Sequence, residues 1–248
     1  MNAGLPLAEG AAGRLADVWV YLSATPLLGL TVTLLMYQGA FVLYRRSGFH
    51  PLANPVAFSV IGLGLLLWAT GTPYATYFEG AQFVHFLLGP ATVALAVPLA
   101  LNLPRLRRAA LPVLAALLAG SATAIVTTLA IARAFGADDA LMATLAAKST
   151  TAPVAIGISE SLGGSPTLTA VLVILTGITG AMVATPLLNL LRLKDWRARG
   201  FATGVASHGI GTARAFQVNP VAGAFAGLGM ALNAILTALL APLLLPLF

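Results

Sequence analysis

Five long stretches of this chain, at 18–44, 80–104, 109–132, 161–191 and 215–248, contain no Asp, Glu, Lys or Arg. A helix rises 1.5 Å per residue, so about 20 apolar residues cross the hydrocarbon core of a bilayer. Each stretch meets that length. They are continuous apolar runs, not the alternating segments of about 10 residues that build a transmembrane barrel. The expected fold class is therefore all-α, a polytopic integral membrane protein. Charged residues make up 8% of the chain, against about 25% for a soluble domain whose surface water must wet. With so few charges, the lipid bilayer has to serve as solvent for the outer surface.

The charges that remain are grouped. The formal net charge is +6, and basic residues gather at 45–46, 105–108 and 192–199, between apolar runs. The positive-inside rule accounts for these clusters, so no nucleic-acid partner is expected. There is no cysteine, which removes disulfides and thiolate chemistry. His50, His85 and His208 are too scattered for a helical metal pair, so no metal and no cofactor is expected. The first residues carry Glu9 and lack a basic n-region, so no cleavable signal peptide is expected. The expected location is the bacterial inner (cytoplasmic) membrane.

Proline, glycine and charge punctuate the chain into about 7–9 transmembrane or half-membrane helical segments. Residues 1–23 read as an N-terminal interfacial segment and 24–248 as the membrane domain. Spans are predicted at 24–44, 53–71, 83–103, 110–135, 166–191 and 222–247, with a short polar-interrupted one at 200–217 and an interrupted region at 139–162. The block "LLGPATVALAVPL" at 87–99 aligns with "LTGITGAMVATPL" at 175–187, and each precedes a basic loop. The match suggests an internal repeat, with halves at 53–150 and 151–248 and two broken or re-entrant elements. Transporters are commonly built from such repeats, with the substrate site at their interface. If 139–162 crossed fully, the basic loop at 192–199 would fall outside. A re-entrant element there keeps all three basic clusters in the cytoplasm, while an inverted repeat whose second basic loop defies the charge rule is the alternative.

Two segments carry chemistry. The first is Lys148-Ser149-Thr150-Thr151-Ala152-Pro153. A lysine within an apolar segment costs about 2.5–3.5 kcal/mol on insertion scales and usually faces a cavity or a partner. Pro153 lacks an N–H and disfavours helix at the preceding residue, so the helix is expected to break here. A half-helix opening at Pro153 would present N–H donors and the positive end of its dipole to an anion. The competing reading has Lys148 snorkelling to an interface while the hydroxyls bond their own helix. The second segment is 204–214, with Gly204, Gly209 and Gly211 among Ser207, His208, Thr212 and Arg214. The glycines weaken the helix and mark a break at Gly209 and Gly211. His208 is a candidate proton carrier, and the Arg214 fork matches a carboxylate. Here the competing reading is glycine-mediated helix packing with Arg214 at the headgroups.

Weaker candidates are Glu160, for a coupling cation, and Thr92, Thr176 and Asn233, for substrate contact against interhelical hydrogen bonding. Glu79 and His85 are expected beside an outside loop. Small residues at 223–229 suit either a homodimer or packing within the chain. No carboxylate pair, Ser/His/Asp arrangement or phosphate-binding loop occurs, so an enzyme is not expected.

At these same segments the chain resembles the LrgB/CidB family of bacterial membrane proteins. The resemblance is carried by "HPLANPV" (50–56), the block at 87–99, "KSTTAPVAIGISESLGGSPTLTAVLVILTGITGA" (148–181), "ASHGIGTARA" (206–215) and "LNAILTALLAPLL" (232–244). The family usually reads Lys-Ser-Val-Thr-Thr-Pro, so Thr150 stands where valine is common and is the weaker member of the segment. The resemblance implies two functions. One is a holin- or antiholin-like modulator of murein hydrolase export and autolysis, acting with a small LrgA/CidA-like membrane partner. The other is transport, since plastid relatives carry glycolate and glycerate and some bacterial members are tied to pyruvate uptake. The residues favour transport of a small carboxylate with H+ or Na+ as a coupling ion. Lys148 and Arg214 would attract the carboxylate, and Ser149, Thr151, Ser207 and Thr212 would bond its oxygens.

Overall fold

The structure, a computed structural model, describes residues 26–87 and 110–248 together with Pro90 and Val93. The interfacial segment at 1–23, most of the span predicted at 83–103, most of the first repeat block and Thr92 lie outside the described residues. Among the described residues the chain is all-helical, with no strand. The helices are α1 (Pro26–Arg46), α2 (Pro55–Thr70), α3 (Tyr74–Phe86), α4 (Ala110–Ala134), α5 (Asp139–Ala146), α6 (Ala152–Ser161), α7 (Pro166–Leu190), α8 (Trp196–Val218) and α9 (Pro220–Leu244). Four of them, α1, α4, α7 and α9, are long and apolar enough to cross a membrane. Large apolar side chains such as Trp68, Leu111, Leu190 and Leu243 point outward. An outer surface of that kind suits lipid rather than water, and the molecule is a helical membrane protein.

Proline at the first turn and a capping side chain before it start several helices. Asn54 Oδ1 accepts from the N–H groups of Val56 and Ala57, and Asn219 Oδ1 does the same for Val221 and Ala222. The "HPLANPV" segment is thus a pair of consecutive caps, because His50 Nδ1 also accepts from Leu52 N.

The chain forms two compact units, 1–92 and 93–248. In the first, α1 packs against α2 and α3, and the hydroxyls of Thr33 and Tyr77 lie 2.7 Å apart. Helix α3 corrects the map. The helix starts at Tyr74, before the span predicted at 83–103, so Glu79 sits within it and His85 one residue before its end. Gly71, at φ 64°, closes α2 with a left-handed cap, and polar Glu79 and Gln82 conceal the next helix from a hydropathy reading.

In the second unit, the long helices α4, α7 and α9 frame two short helical hairpins. The first is α5–α6, joined by the five residues 147–151. Thr169, early in α7, donates to Ser159 Oγ of α6 at 2.7 Å and lies 3.4 Å from the Thr144 carbonyl of α5. Continuous helix would separate Thr144 and Ser159 by about 22 Å. The chain has doubled back.

The second hairpin is α8 itself, which corrects the span predicted at 200–217. Its first arm, 196–207, runs along α9 with Gly200 against Ala222 and Gly204 against Ala226. Its second arm, 209–218, meets α9 in reverse order, Thr212 beside Gly227 and Phe216 against Gly223. A Cβ on Gly211 would lie 3.1 Å from Thr203 Cγ2, a pair that eight residues of unbroken helix would hold about 12 Å apart. The reversal occurs at His208 (φ 41°, ψ −133°). Gly209 and Gly211, predicted as the break, do not take positive φ; Gly211 instead lets the two arms close on each other.

The hairpins open at opposite ends of this unit. The base of α5–α6 lies where α4 ends and α7 begins, with Leu240 and Leu244 of α9 packed nearby. The base of α8 lies where α7 ends and α9 begins, with Arg199 bonded to Asn189. The small residues at 223–229, considered for a dimer, are buried against both arms of α8. At Gly204 a Cβ would overlap the carbonyl of Ala226, which is backbone and cannot swing away. Gly204→Val is therefore expected to lower stability by about 1–3 kcal/mol or more. A melt of the detergent-purified variant checks this, and an unchanged Tm would contradict the close approach.

Candidate functional site at the meeting of two hairpin tips

Breaking a helix releases backbone groups that must find partners when buried. Asn233, midway along α9 and 1% exposed, supplies them for both breaks. Its Nδ2 donates to the carbonyls of Ser149, in the first tip, and Val205, just before the second, each at 3.1 Å. Its Oδ1 accepts from Ser121 Oγ of α4 at 2.5 Å and from Thr237 Oγ1 at 3.4 Å. The amide thus uses both N–H groups and both lone pairs. Sequence reasoning ranked Asn233 low and missed Ser121, whose only signal was a hydroxyl in an apolar run.

Helix α7 also holds both hairpins. For the first the bonds lie toward the base, where Ser165 N donates to Thr144 Oγ1 at 2.8 Å, beside the Thr169–Ser159 bond. For the second, His208 Nε2 lies 2.9 Å from the Val173 carbonyl. A carbonyl can only accept, so Nε2 carries the hydrogen and Nδ1 faces away as an acceptor in the neutral ring. Gly177 and Gly180 of α7 make room: a Cβ at Gly177 would strike the His208 ring, and one at Gly180 would overlap Ser207 Oγ.

Several groups at the first tip remain uncommitted. The half-buried Lys148 ammonium makes no ion pair with the described residues, where the pairs are Arg133–Asp139 and Arg197–Asp195. It lies within electrostatic reach of His208. Thr150 is 0% exposed, and its Oγ1 has no hydrogen-bond partner among the described residues. Thr151 is the N-cap of α6, yet its side chain does not cap. The first-turn N–H groups of Ala152 and Val154 therefore lack an intrahelical acceptor and a capping side chain. Pro153 sits in that same turn, just past the break. Together these are one cation, two hydroxyls and two N–H donors, a set suited to an oxyanion.

Of the other predicted residues, Thr150 and Ser149 stay at this tip, and the rest lie away from it. Thr150, the weaker member by family pattern, is the most deeply buried hydroxyl of the tip. Ser149 is buried and gives its carbonyl to Asn233. Ser207 is wedged against glycines, and Thr212 Oγ1 donates to the His208 carbonyl at 2.8 Å, so it secures the break instead of facing a ligand. Arg214 lies six residues into the returning arm, about 9 Å along it from the break. It lines a different cleft with Arg199 and Trp196. The paired clamp of Lys148 and Arg214 is thereby corrected, because reversal at His208 carries Arg214 toward the hairpin base. Glu160 is exposed in the last turn of α6, far from the tip, and Thr176 is half-buried on α7. Among the described residues no cluster of His, Asp or Glu could hold a metal ion.

The model of the LrgB-like family matches residues 33–247. A protein of Bacillus subtilis, "Uncharacterized protein YwbG", is 35% identical over 84% of this chain and 92% of its own length. "Holin-like protein CidB" of Staphylococcus epidermidis is 32% identical over 87% of this chain and 93% of its own. The protein of the same name from Staphylococcus aureus is 32% identical over 84% and 91%. No solved structure matches.

Proposed function

The chain belongs to the LrgB-like family, and on that premise we propose that it is a secondary transporter or facilitator of small monocarboxylates, of the glycolate, glycerate, lactate or pyruvate class, in the bacterial inner membrane. One observation carries the reading. Two helical hairpins enter the second unit from opposite ends and meet at the midpoint of α9, where Lys148 has no carboxylate partner and Thr150 Oγ1 no hydrogen bond among the described residues. Discontinuous helices meeting at mid-depth are how transporters present N–H groups to anionic substrates. Lys148 attracts the carboxylate, and Thr150, Thr151, Ser149 and the first-turn N–H groups of α6 receive its oxygens. His208 Nδ1 carries a coupling proton, with Na+ as the alternative ion. No bond is made or broken, so the protein is not an enzyme.

Alternating access would rest on an inverted repeat with bounds other than the halves 53–150 and 151–248, whose boundary falls within the first hairpin tip. A 25-residue helix followed by a hairpin occurs twice, as α4 with α5–α6 and as α7 with α8. The hairpins open at opposite ends, so exchanging which base is loosened exchanges the side from which the tips are reached.

A second reading rests on the relatives named holin-like: a regulator of murein hydrolase export and autolysis, acting with a small LrgA/CidA-like partner. Proteoliposomes separate the two. Saturable uptake of labelled glycolate or pyruvate without release of a trapped dye is the expected result. Dye release without saturation would replace the carrier with a pore.

A further inference from the structure

We propose that the cleft at the base of the second hairpin is an oxyanion site distinct from the tips. It is lined by Thr185, Trp196, Arg199, Thr203 and Arg214 among small and apolar residues, and none of the described residues that line it is acidic. Two guanidinium groups therefore share one partly enclosed space.

Arg199 is 9% exposed and held in place. Its Nη1 donates to the Leu193 carbonyl at 2.9 Å and its Nη2 to Asn189 Oδ1 at 2.7 Å, while its plane lies 4.8 Å over the Trp196 ring. All three partners are neutral, so they orient the fork and leave its charge in place. The nearby carboxylate of Asp195 is committed to Arg197 at 2.7 Å. A buried charge is costly until a counter-charge with good geometry meets it. Arg214, arriving on the returning arm, brings a second fork to the same cleft. An oxyanion bridging the two accepts charge-assisted hydrogen bonds from both, which suits arginine better than lysine. The hydroxyl residues Thr185 and Thr203 line the same wall.

The surroundings narrow the source of the anion to two. The cleft sits at the end of the unit that carries Arg192, Lys194 and Arg197, the end that the charge rule turns to the cytoplasm. Trp196 suits a headgroup depth. The oxyanion is thus either the phosphate of an anionic lipid of that leaflet or a soluble phosphate or carboxylate from the cytoplasm.

The full chain, purified in neutral detergent, is melted with inorganic phosphate, with glycolate, and with short-chain phosphatidylglycerol, against phosphatidylcholine as control. A ligand that binds the folded state raises Tm with concentration. The expected result is a rise with at least one oxyanion, with apparent affinity weakened about tenfold or more in Arg199→Gln and in Arg214→Gln, and retained in Lys148→Ala. A rise with phosphatidylglycerol alone assigns the cleft to a lipid headgroup, and a rise with phosphate, or one with glycolate that persists in Lys148→Ala, assigns it to a soluble anion. If Arg199→Gln does not fold, the half-buried Arg214→Gln and Arg214→Lys carry the test. The proposal is overturned if no oxyanion raises Tm, or if the rise survives in Arg214→Gln. It is equally overturned if the rise disappears in Lys148→Ala alone, which would move the ligand to the tips. Loss of uptake in Lys148→Ala with the Tm response intact keeps this site separate from the transport reading.

Discussion

Replacing Lys148 by alanine is expected to weaken saturable carboxylate uptake by about tenfold to a hundredfold while leaving the melting temperature equal or higher. The fold-change follows from losing a hydrogen bond to a charged group, about 1.5–3 kcal/mol, at 1.4 kcal/mol per factor of ten. The stability sign follows from the site. Lysine in an apolar segment costs about 2.5–3.5 kcal/mol on insertion scales, and Lys148 has no ion pair among the described residues to offset it. A lysine that served only to hold the tip together would show the reverse, a lower Tm on removal. Lys148→Arg keeps the charge and is expected to retain part of the uptake, which separates charge from shape. Uptake by Lys148→Ala at the parent rate, with saturation intact, would remove this residue and the site model with it.

Asn233→Leu is expected to behave oppositely, losing stability first and transport as a consequence. The substitution strands the carbonyls of Ser149 and Val205 and the hydroxyl of Ser121, all of which the amide now satisfies. Each buried orphan costs about 1–3 kcal/mol in a soluble interior, whereas polar contacts inside membrane proteins average about 0.6 kcal/mol, because the unfolded chain finds other partners there. The membrane values govern here, and three orphans at that value give a loss of about 2 kcal/mol. Thermal melts measure the total, and limited proteolysis at 147–151 reports whether the first tip has come loose. Asn233→Asp keeps the acceptors and removes the donors. It is expected to be at least as damaging, since a carboxylate would face two carbonyl oxygens. A parent-like Tm for both variants would show that the two tips hold together without the amide.

The two variants distinguish binding from holding, and that division was only partly legible in the sequence. Lys148 and Pro153 announced themselves because each is costly in an apolar helix on local grounds alone. The break between Ala146 and Ala152 follows from those residues wherever the segment is placed. Asn233 looked like any other polar residue in a span. Its role depends on two carbonyls 84 and 28 residues away in the chain, and no local pattern encodes that meeting.

The apolar runs around the polar segments, read by themselves, determined the class of this protein. Long charge-free stretches leave a helix bundle in lipid as the way to satisfy the backbone, and the ordered motifs determined the family. Only the tertiary structure decided how the second polar segment is used. Its glycines lowered the cost of breaking the helix, but they did not choose His208 as the point of reversal. That choice comes from α7, where Gly177 and Gly180 admit the His208 ring and Ser207 and the Val173 carbonyl receives Nε2. The reversal then parts Arg214 from Lys148, so residues that composition would assign to one site lie in two. Helix formation is governed by neighbours a few residues away, whereas the direction in which a broken helix turns is set by whatever it packs against.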